Sequence, residues 1–385
     1  MQRIKPSPTL AVTARAAKLK AEGKDIIGLG AGEPDFDTPL HIAEAGIAAI
    51  RAGKTRYTNV DGTPELKDAI IAKFKRDNGL TYDRSQILVS AGAKHTIFNL
   101  MQALLDDGDE VIIPAPYWVS YPDMALLAGG VPVIVSAGPE QGYKIRPEQL
   151  AAAITPKTKL FILNSPSNPT GAAYTRAELA ALGEVLLAHP QVVIGTDDMY
   201  EHIWWGPEPF CSLVTACPGL YDRTVTINGV SKSYAMTGWR IGYCGGPAEV
   251  IKAMATLQGQ STSNPTSISQ AAATVALNAD QTCVHEMNKH FKARHDWLVG
   301  ALNTLPGVSC LPGFGTFYAF ANVRGAMDHL GCADDNAFAE KLITDGLVAV
   351  VPGSGFGAPD HMRLSFACSM ETLEKAVERM RRVLG

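Results

Sequence analysis

The chain predicts an α/β protein: a mostly parallel sheet flanked by helices, joined to a smaller α+β part. Three observations carry this reading. Between residues 86 and 227, short β-branched or apolar runs alternate with helix-length segments, which is the pattern of βα units sharing one sheet. The length of 385 residues, with 46% hydrophobic and 19% charged, is enough for two units with a large core. After residue 305 the texture changes, and short strands mix with helices without that alternation.

Taken in order, residues 9–22 form an Ala-rich helix and 25–29 a strand. Gly28, Gly30 and Gly32 resemble a dinucleotide fingerprint, but Pro34 and a turn-rich stretch follow where a helix should begin, and position 33 is Glu. A nicotinamide site is therefore rejected, although such a loop still offers N–H groups to an anion. Helices follow at 41–51 and 64–78, the second with Pro at its start. The loop 55–62 between them carries Tyr57. Strands are expected at 86–89, 110–113, 131–135, 160–163, 192–194 and 224–227, the last broken by Asn228-Gly229. Ser90 to Lys94 opens a helix that runs to Leu105. A further strand at 243–246 precedes helices at 247–258, 268–277 and 283–305. Strands at 309–311, 317–321, 348–351 and 362–366 then mix with helices at 335–345 and 371–384. The expected division is a large domain of 42–282 and a small domain of 1–41 with 283–385.

The totals exclude several classes. A net charge of −4 gives no basic field for nucleic acid. The longest apolar stretch, 126–137, is interrupted by Gly129, Gly130 and Pro132 and is too short to span a bilayer. The first residues carry no apolar signal region, so a cytoplasmic protein is expected. The seven cysteines are scattered and form no Cys-x-x-Cys. His285, His290 and His295 recur every five residues, which walks around a helix instead of lining one face, so no metal is expected.

In a parallel α/β sheet, ligands bind beyond the carboxyl ends of the strands. The unusual polar residues fall there. Ala93 and Lys94 sit at a strand-to-helix turn, where free N–H groups favour an anion. Trp118 follows one strand, Asn168 another, Asp197 and Tyr200 a third, and Lys232 with Arg240 a fourth. Each has an ordinary explanation alone: Asp197 as a helix N-cap, Asn168 as a turn residue, Trp118 as a packed aromatic, Lys232 as a solvated lysine. Convergence on one rim favours a shared site. A lysine among small and apolar neighbours becomes a usable amine nucleophile. An acid can keep a pyridine nitrogen protonated, a Tyr and an Asn can bind a ring oxygen, and a flat aromatic can stack on the ring. A helix start with an arginine can hold a phosphate. This set describes pyridoxal 5'-phosphate, with no metal required.

At these residues the chain resembles the fold-type I, class I pyridoxal-phosphate aminotransferases, and especially the prokaryotic subgroup of aspartate and aspartate–prephenate aminotransferases. The motifs are Ala31-Gly-Glu-Pro-Asp-Phe-Asp-Thr-Pro39, Pro116-Tyr-Trp-Val-Ser-Tyr121, Asn164-Ser-Pro-Ser-Asn-Pro-Thr-Gly171, Asp197-Asp-Met-Tyr-Glu201, and Ser231-Lys232 through Arg240-Ile-Gly-Tyr243. The resemblance covers essentially the whole chain. It implies that Lys232 is the Schiff-base lysine, Asp197 the pyridinium partner, and Tyr200 and Asn168 the ligands of the ring hydroxyl. It implies that Trp118 stacks on the ring, while the Ala93 and Lys94 backbone, Ser231 and Arg240 form the phosphate cup. Tyr57 resembles a tyrosine that reaches the phosphate of a neighbouring subunit, implying a homodimer with shared sites. Arg363 resembles the arginine that grips the substrate α-carboxylate, and Gly32 a backbone donor to it. Two positions depart from relatives: Gly229 replaces a second phosphate-cup serine, and Asp198 stands where Glu is common.

For substrate, Lys94 resembles the group that pairs with the distal carboxylate of aspartate or glutamate. Lys5 stands where prephenate-using members carry a lysine near the substrate side chain. The resemblance thus implies transamination between an acidic amino donor and 2-oxoglutarate or oxaloacetate, in ping-pong order through a pyridoxamine form, with prephenate as a candidate acceptor. Aromatic or other donors, or lyase chemistry on the same cofactor, remain the alternatives, because they share Lys232, Asp197 and Arg363.

Overall fold

The computed structural model describes residues 4 and 8–385. Its centre is a seven-stranded sheet in the order Ile87–Ser90, Gly242–Gly245, Thr224–Gly229, Val193–Asp197, Thr158–Asn164, Glu110–Ala115 and Val131–Ser136. The last five strands run parallel to one another, while Gly242–Gly245 is antiparallel to both of its neighbours. Strands inside the sheet are covered on both faces; Gly242–Gly245 and Thr224–Gly229 are buried throughout, and so is Ile87–Ser90 at one edge. Val131–Ser136 is an edge strand, partly exposed, and there Pro132 is tolerated.

Helices cover the sheet because each carries an apolar stripe. Ala93–Leu104 buries Ile97, Leu100 and Met101 against it. Arg176–Leu187 buries Leu179, Leu182 and Leu186 on the other side, and starts at a capping box of Thr175 and Glu178. Four antiparallel strands, Val351–Pro352, His361–Ser365, Tyr318–Asn322 and Ser309–Cys310, form a second sheet. Ile27–Gly28 pairs in parallel with Val348–Ala349 as a third. One apolar cluster runs without a break from Leu88 and Val225 of the large sheet to Ala319 and Leu364 of the small one.

Several expectations shift. The strand expected to end at Asn228-Gly229 runs through both. The returning strand pairs Asn228 with Tyr243 and Gly229 with Gly242, and the Asn228 amide donates to the Asp198 carbonyl at 3.2 Å. The helix expected over 64–78 is α-helical only in Pro64–Lys73, then widens to a π turn, Phe74–Asn78, closed by Gly79 at φ 68°. The wider turn lets the Lys73 ammonium reach Asn78 Oδ1 at 2.7 Å and pair with Glu201 in the interior. The expected strand 348–351 splits between two sheets. Helices Ser120–Leu127, Pro147–Ala153 and Arg324–Leu330 were not anticipated. Among the described residues no helix is long and apolar enough to cross a membrane.

Candidate active site

The carboxyl ends of three adjacent parallel strands set the floor. Asn164 ends Thr158–Asn164 and lies in register with Asp197, which ends Val193–Asp197 and is in register with Ile227. The Asn164 side chain donates to the Asp197 carbonyl at 2.8 Å and accepts the Asn168 N–H at 2.8 Å. Asp197 is not a helix N-cap: the chain turns through the next residues without forming a helix. Its buried carboxylate accepts from Tyr121 Oη at 2.6 Å and from the Met199 N–H at 3.3 Å. Burial pushes its pKa up, and the Tyr121 hydrogen bond is the main opposing influence.

Three residues after the strand Thr224–Gly229, Lys232 projects over this floor. Its ammonium donates to the Gly32 carbonyl. Burial pushes its pKa down to about 8; Glu33 opposes the shift, while Arg240 and Arg363 reinforce it. The chain then bends back through Arg240, at φ 56°, into the antiparallel strand Gly242–Gly245. That bend places the Arg240 guanidinium beside the opening of the helix Ala93–Leu104, with Nη2 3.3 Å from the Ala91 carbonyl. Ala93 and Lys94 open the helix, so their N–H groups lack intrahelical partners. Gly92 before them has φ 91°, and a Cβ there would sit 2.2 Å from Arg240 Nη2. The Lys94 ammonium lies 4.9 Å from the Trp118 ring centroid, and burial with the nearby Arg240 lowers its pKa.

Arg363 closes the opposite wall. It is 2% exposed, donates to Asn168 Oδ1 and the Gly30 carbonyl, each at 2.9 Å, and pairs with no carboxylate among the described residues. Its Nε is buried without a hydrogen-bond partner among the described residues. Tyr318 lies under the guanidinium, and its hydroxyl meets that of Tyr200 at 3.2 Å.

These walls enclose a cavity of about 470 Å³. Gly32, Ala93, Lys94, Trp118, Asn168, Asp197, Tyr200, Ser231, Lys232, Arg240 and Arg363 all line it. Tyr57 does not: it is 91% exposed on its loop. Lys5 lies outside the described residues. Reading the sequence missed Tyr121, Tyr318 and Asn164 as parts of the site; Tyr121 and Asn164 stand inside the quoted motifs. Elsewhere, the ligating atoms of Asp77, Glu201 and His202 lie within 4.8 Å of one another, and there the Lys73 ammonium is already paired with Glu201.

The family model described as aminotransferase class I and II matches residues 24–380. The chain belongs to this aminotransferase family. The aminotransferase is 57% identical to the aspartate/prephenate aminotransferase of Nitrosomonas europaea, over 100% of this chain and 98% of that protein. It is 52% identical to the aspartate aminotransferase of Geobacillus stearothermophilus, over 99% of this chain and 97% of that one. Among solved structures, it superposes on the aspartate aminotransferase of Rhizobium meliloti with a TM-score of 0.95 at 49% identity, covering 99% and 96% of the two chains. The Thermus thermophilus aspartate aminotransferase with maleate gives 0.94 at 44% identity, covering 99% and 98%.

Membership in the family implies dependence on pyridoxal 5'-phosphate. The aminotransferase cavity suits that group on its own chemistry. Among the described residues four cations, Lys94, Lys232, Arg240 and Arg363, line it against two acids, Asp197 and Glu33. Burial is the main influence lowering the pKa of both Lys94 and Arg363, and among the described residues neither is paired with an acid. A phosphate and a substrate carboxylate supply what is lacking.

Proposed function

We propose that this aminotransferase transfers the amino group of L-aspartate or L-glutamate, with oxaloacetate or 2-oxoglutarate as the returning keto acid, and takes prephenate as a further acceptor. The observation that carries this is the pair of uncompensated cations, Arg363 and Lys94, on one cavity with Lys232. Two separated cations suit a substrate with two carboxylates. The names of the Nitrosomonas and Geobacillus relatives and the maleate in the Thermus structure support the reading.

When bound, pyridoxal 5'-phosphate supplies a carbonyl that condenses with amines and a protonated ring that accepts electron density. Lys232, neutral in an appreciable fraction near pH 8, takes the proton from the substrate Cα. The Asp197 carboxylate, which accepts from the Tyr121 hydroxyl, would hold the proton on the ring nitrogen. Asn168 and Tyr200 would donate to the ring oxygen, and Trp118 would pack on the ring. Arg240, Ser231 and the free N–H groups of Ala93 and Lys94 would hold the phosphate. Arg363 presents a planar fork to the α-carboxylate beside Gly32, and Lys94 pairs with the distal carboxylate. Tyr57, fully outside its own cavity, is read as reaching the phosphate of a second subunit in a homodimer. The division at residues 42 and 283 is supported by the large sheet lying wholly within Ile87–Gly245.

An amino-donor panel against 2-oxoglutarate tests the proposal. Keto-acid product without ammonia or carbon dioxide is expected, with aspartate and glutamate the best donors. Lys94→Ser should lower kcat/KM for aspartate by roughly tenfold to a hundredfold, the loss of one charged hydrogen bond, and leave an apolar donor nearly unchanged. Equal losses on both donors would remove the dicarboxylate assignment.

A further inference from the structure

Tyr318 touches both halves of the site. It begins the strand Tyr318–Asn322, whose antiparallel register with His361–Ser365 puts Phe320 opposite Arg363. Side chains alternate along a strand, so Tyr318 shares a face with Phe320 and is the diagonal neighbour of Arg363. This register lays the Arg363 guanidinium over the Tyr318 ring, with Cζ 4.3 Å from the centroid. At the ring's far end, Tyr318 Oη is 3.2 Å from Tyr200 Oη, and both tyrosines are buried. A Cβ on Gly32 would come within 3.2 Å of the same hydroxyl, so glycine leaves room there for this contact.

The hydroxyl of Tyr200 has one proton to give. If it donates to the cofactor ring oxygen, its bond with Tyr318 must be an accepted one, and Tyr318 becomes the donor. Successive hydrogen bonds polarise one another. A cation on the face of a phenol makes its hydroxyl a better donor by stabilising the electron density left on the ring. A carboxylate arriving at Arg363 offsets that charge and withdraws the effect.

We propose that Tyr318 is a positioning residue that relays the charge state of Arg363, and so the presence of a substrate carboxylate, to the Tyr200 hydroxyl and the cofactor ring it faces. The relay rests on the functional reading above and deepens it. Before substrate arrives, Tyr318 strengthens the donation of Tyr200 and favours an anionic ring oxygen. Once the carboxylate docks, the donation weakens, and the proton affinity of the Lys232 nitrogen beside the cofactor rises at the moment when chemistry begins.

The test compares the holoenzyme with Tyr318→Phe, following the pH midpoint of the bound cofactor's visible absorption with and without succinate, a dicarboxylate without amine or keto group. In the wild type, succinate should raise the midpoint. In Tyr318→Phe the midpoint without succinate should already stand higher, by about half a unit or more, and the succinate response should shrink. In a Tyr200→Phe background, adding Tyr318→Phe should change nothing further, because the relay passes through the Tyr200 hydroxyl. Incorporating 3-fluorotyrosine at position 318 keeps the fold and makes a stronger donor, so the midpoint should fall; this arm decides the matter even if Tyr318→Phe folds poorly. Equal midpoints and equal succinate responses in wild type and Tyr318→Phe, or additive effects in the double variant, overturn the relay. Bleaching of the wild-type band by aspartate is the separate control for the proposed function, so failure of one is distinguishable from failure of the other.

Discussion

Removing a single hydroxyl, in Tyr121→Phe, tests the account of Asp197. The Asp197 carboxylate is buried, and the 2.6 Å bond from Tyr121 is the strongest influence keeping it ionised. Hydrogen bonds to charged groups contribute about 1.5–3 kcal/mol, so losing this one raises the Asp197 pKa by about 1–2 units. Its folded-state pKa already stands above the ordinary 3.8 because of burial. A carboxyl with a raised folded pKa is easiest to bury when protonated, so its contribution to stability falls as pH rises from the unfolded value toward the folded one. The stability gap between wild type and Tyr121→Phe in the cofactor-free protein should therefore be small near pH 4, widen with rising pH, and level off above the raised pKa of the variant. Denaturant unfolding across pH measures it. Where Asp197 is protonated it cannot hold the ring-nitrogen proton, so affinity for pyridoxal 5'-phosphate, read by fluorescence titration across pH, should fall at a higher pH in Tyr121→Phe than in the wild type. A gap independent of pH, with unchanged cofactor affinity, would refute the role given to Tyr121.

Other outcomes follow from the same geometry. Lys232 in the cofactor-free protein should react with a small aldehyde, trapped by reduction and located by mass spectrometry, at a rate that rises through pH 8; a midpoint at the ordinary 10.5 would contradict its burial. Gly92→Ala forces a side chain into a conformation reserved for glycine, at a cost of about 1–3 kcal/mol. Because the new methyl also displaces the Arg240 guanidinium, cofactor affinity should fall along with the melting temperature; an unaltered affinity would separate Arg240 from the phosphate. Lys73→Met leaves Glu201 charged and buried beside Asn78, and should cost about 3–5 kcal/mol in urea unfolding. Pairing it with Glu201→Leu should restore most of that loss.

The sequence exposed the rim of the site because polar residues at the ends of apolar strands are conspicuous. Asp197, Asn168 and Lys232 could be placed from local pattern and strand-end logic. Arg363 could not: it is 195 residues from Asn168, its bonding partner, and alone it reads as the exposed end of a strand. Only the resemblance brought it forward. Tyr121 and Tyr318 escaped for a related reason. Each stands among aromatic and apolar neighbours and looks like core, and its importance lies in which distant hydroxyl or carboxylate its ring reaches. The misplaced strand end has another cause. Asn228-Gly229 is a strong turn signal, but Tyr243 and Gly242 come back alongside it, and cross-strand pairing overrides the local preference.

The imbalance of charge around the cavity has a practical consequence. Anions that enter it bind the folded chain and not the unfolded one, so the stability of the cofactor-free protein is linked to the small ions in its solution. A phosphate buffer at a hundred times its dissociation constant adds about 2.7 kcal/mol to the unfolding free energy, while a bulky zwitterionic buffer adds almost nothing. Melting temperatures taken in the two are measurements on differently liganded molecules. Conversely, a simple thermal scan across inorganic phosphate, succinate and their mixture reads out the two anion positions separately: stabilisation that adds means two sites, and competition means one.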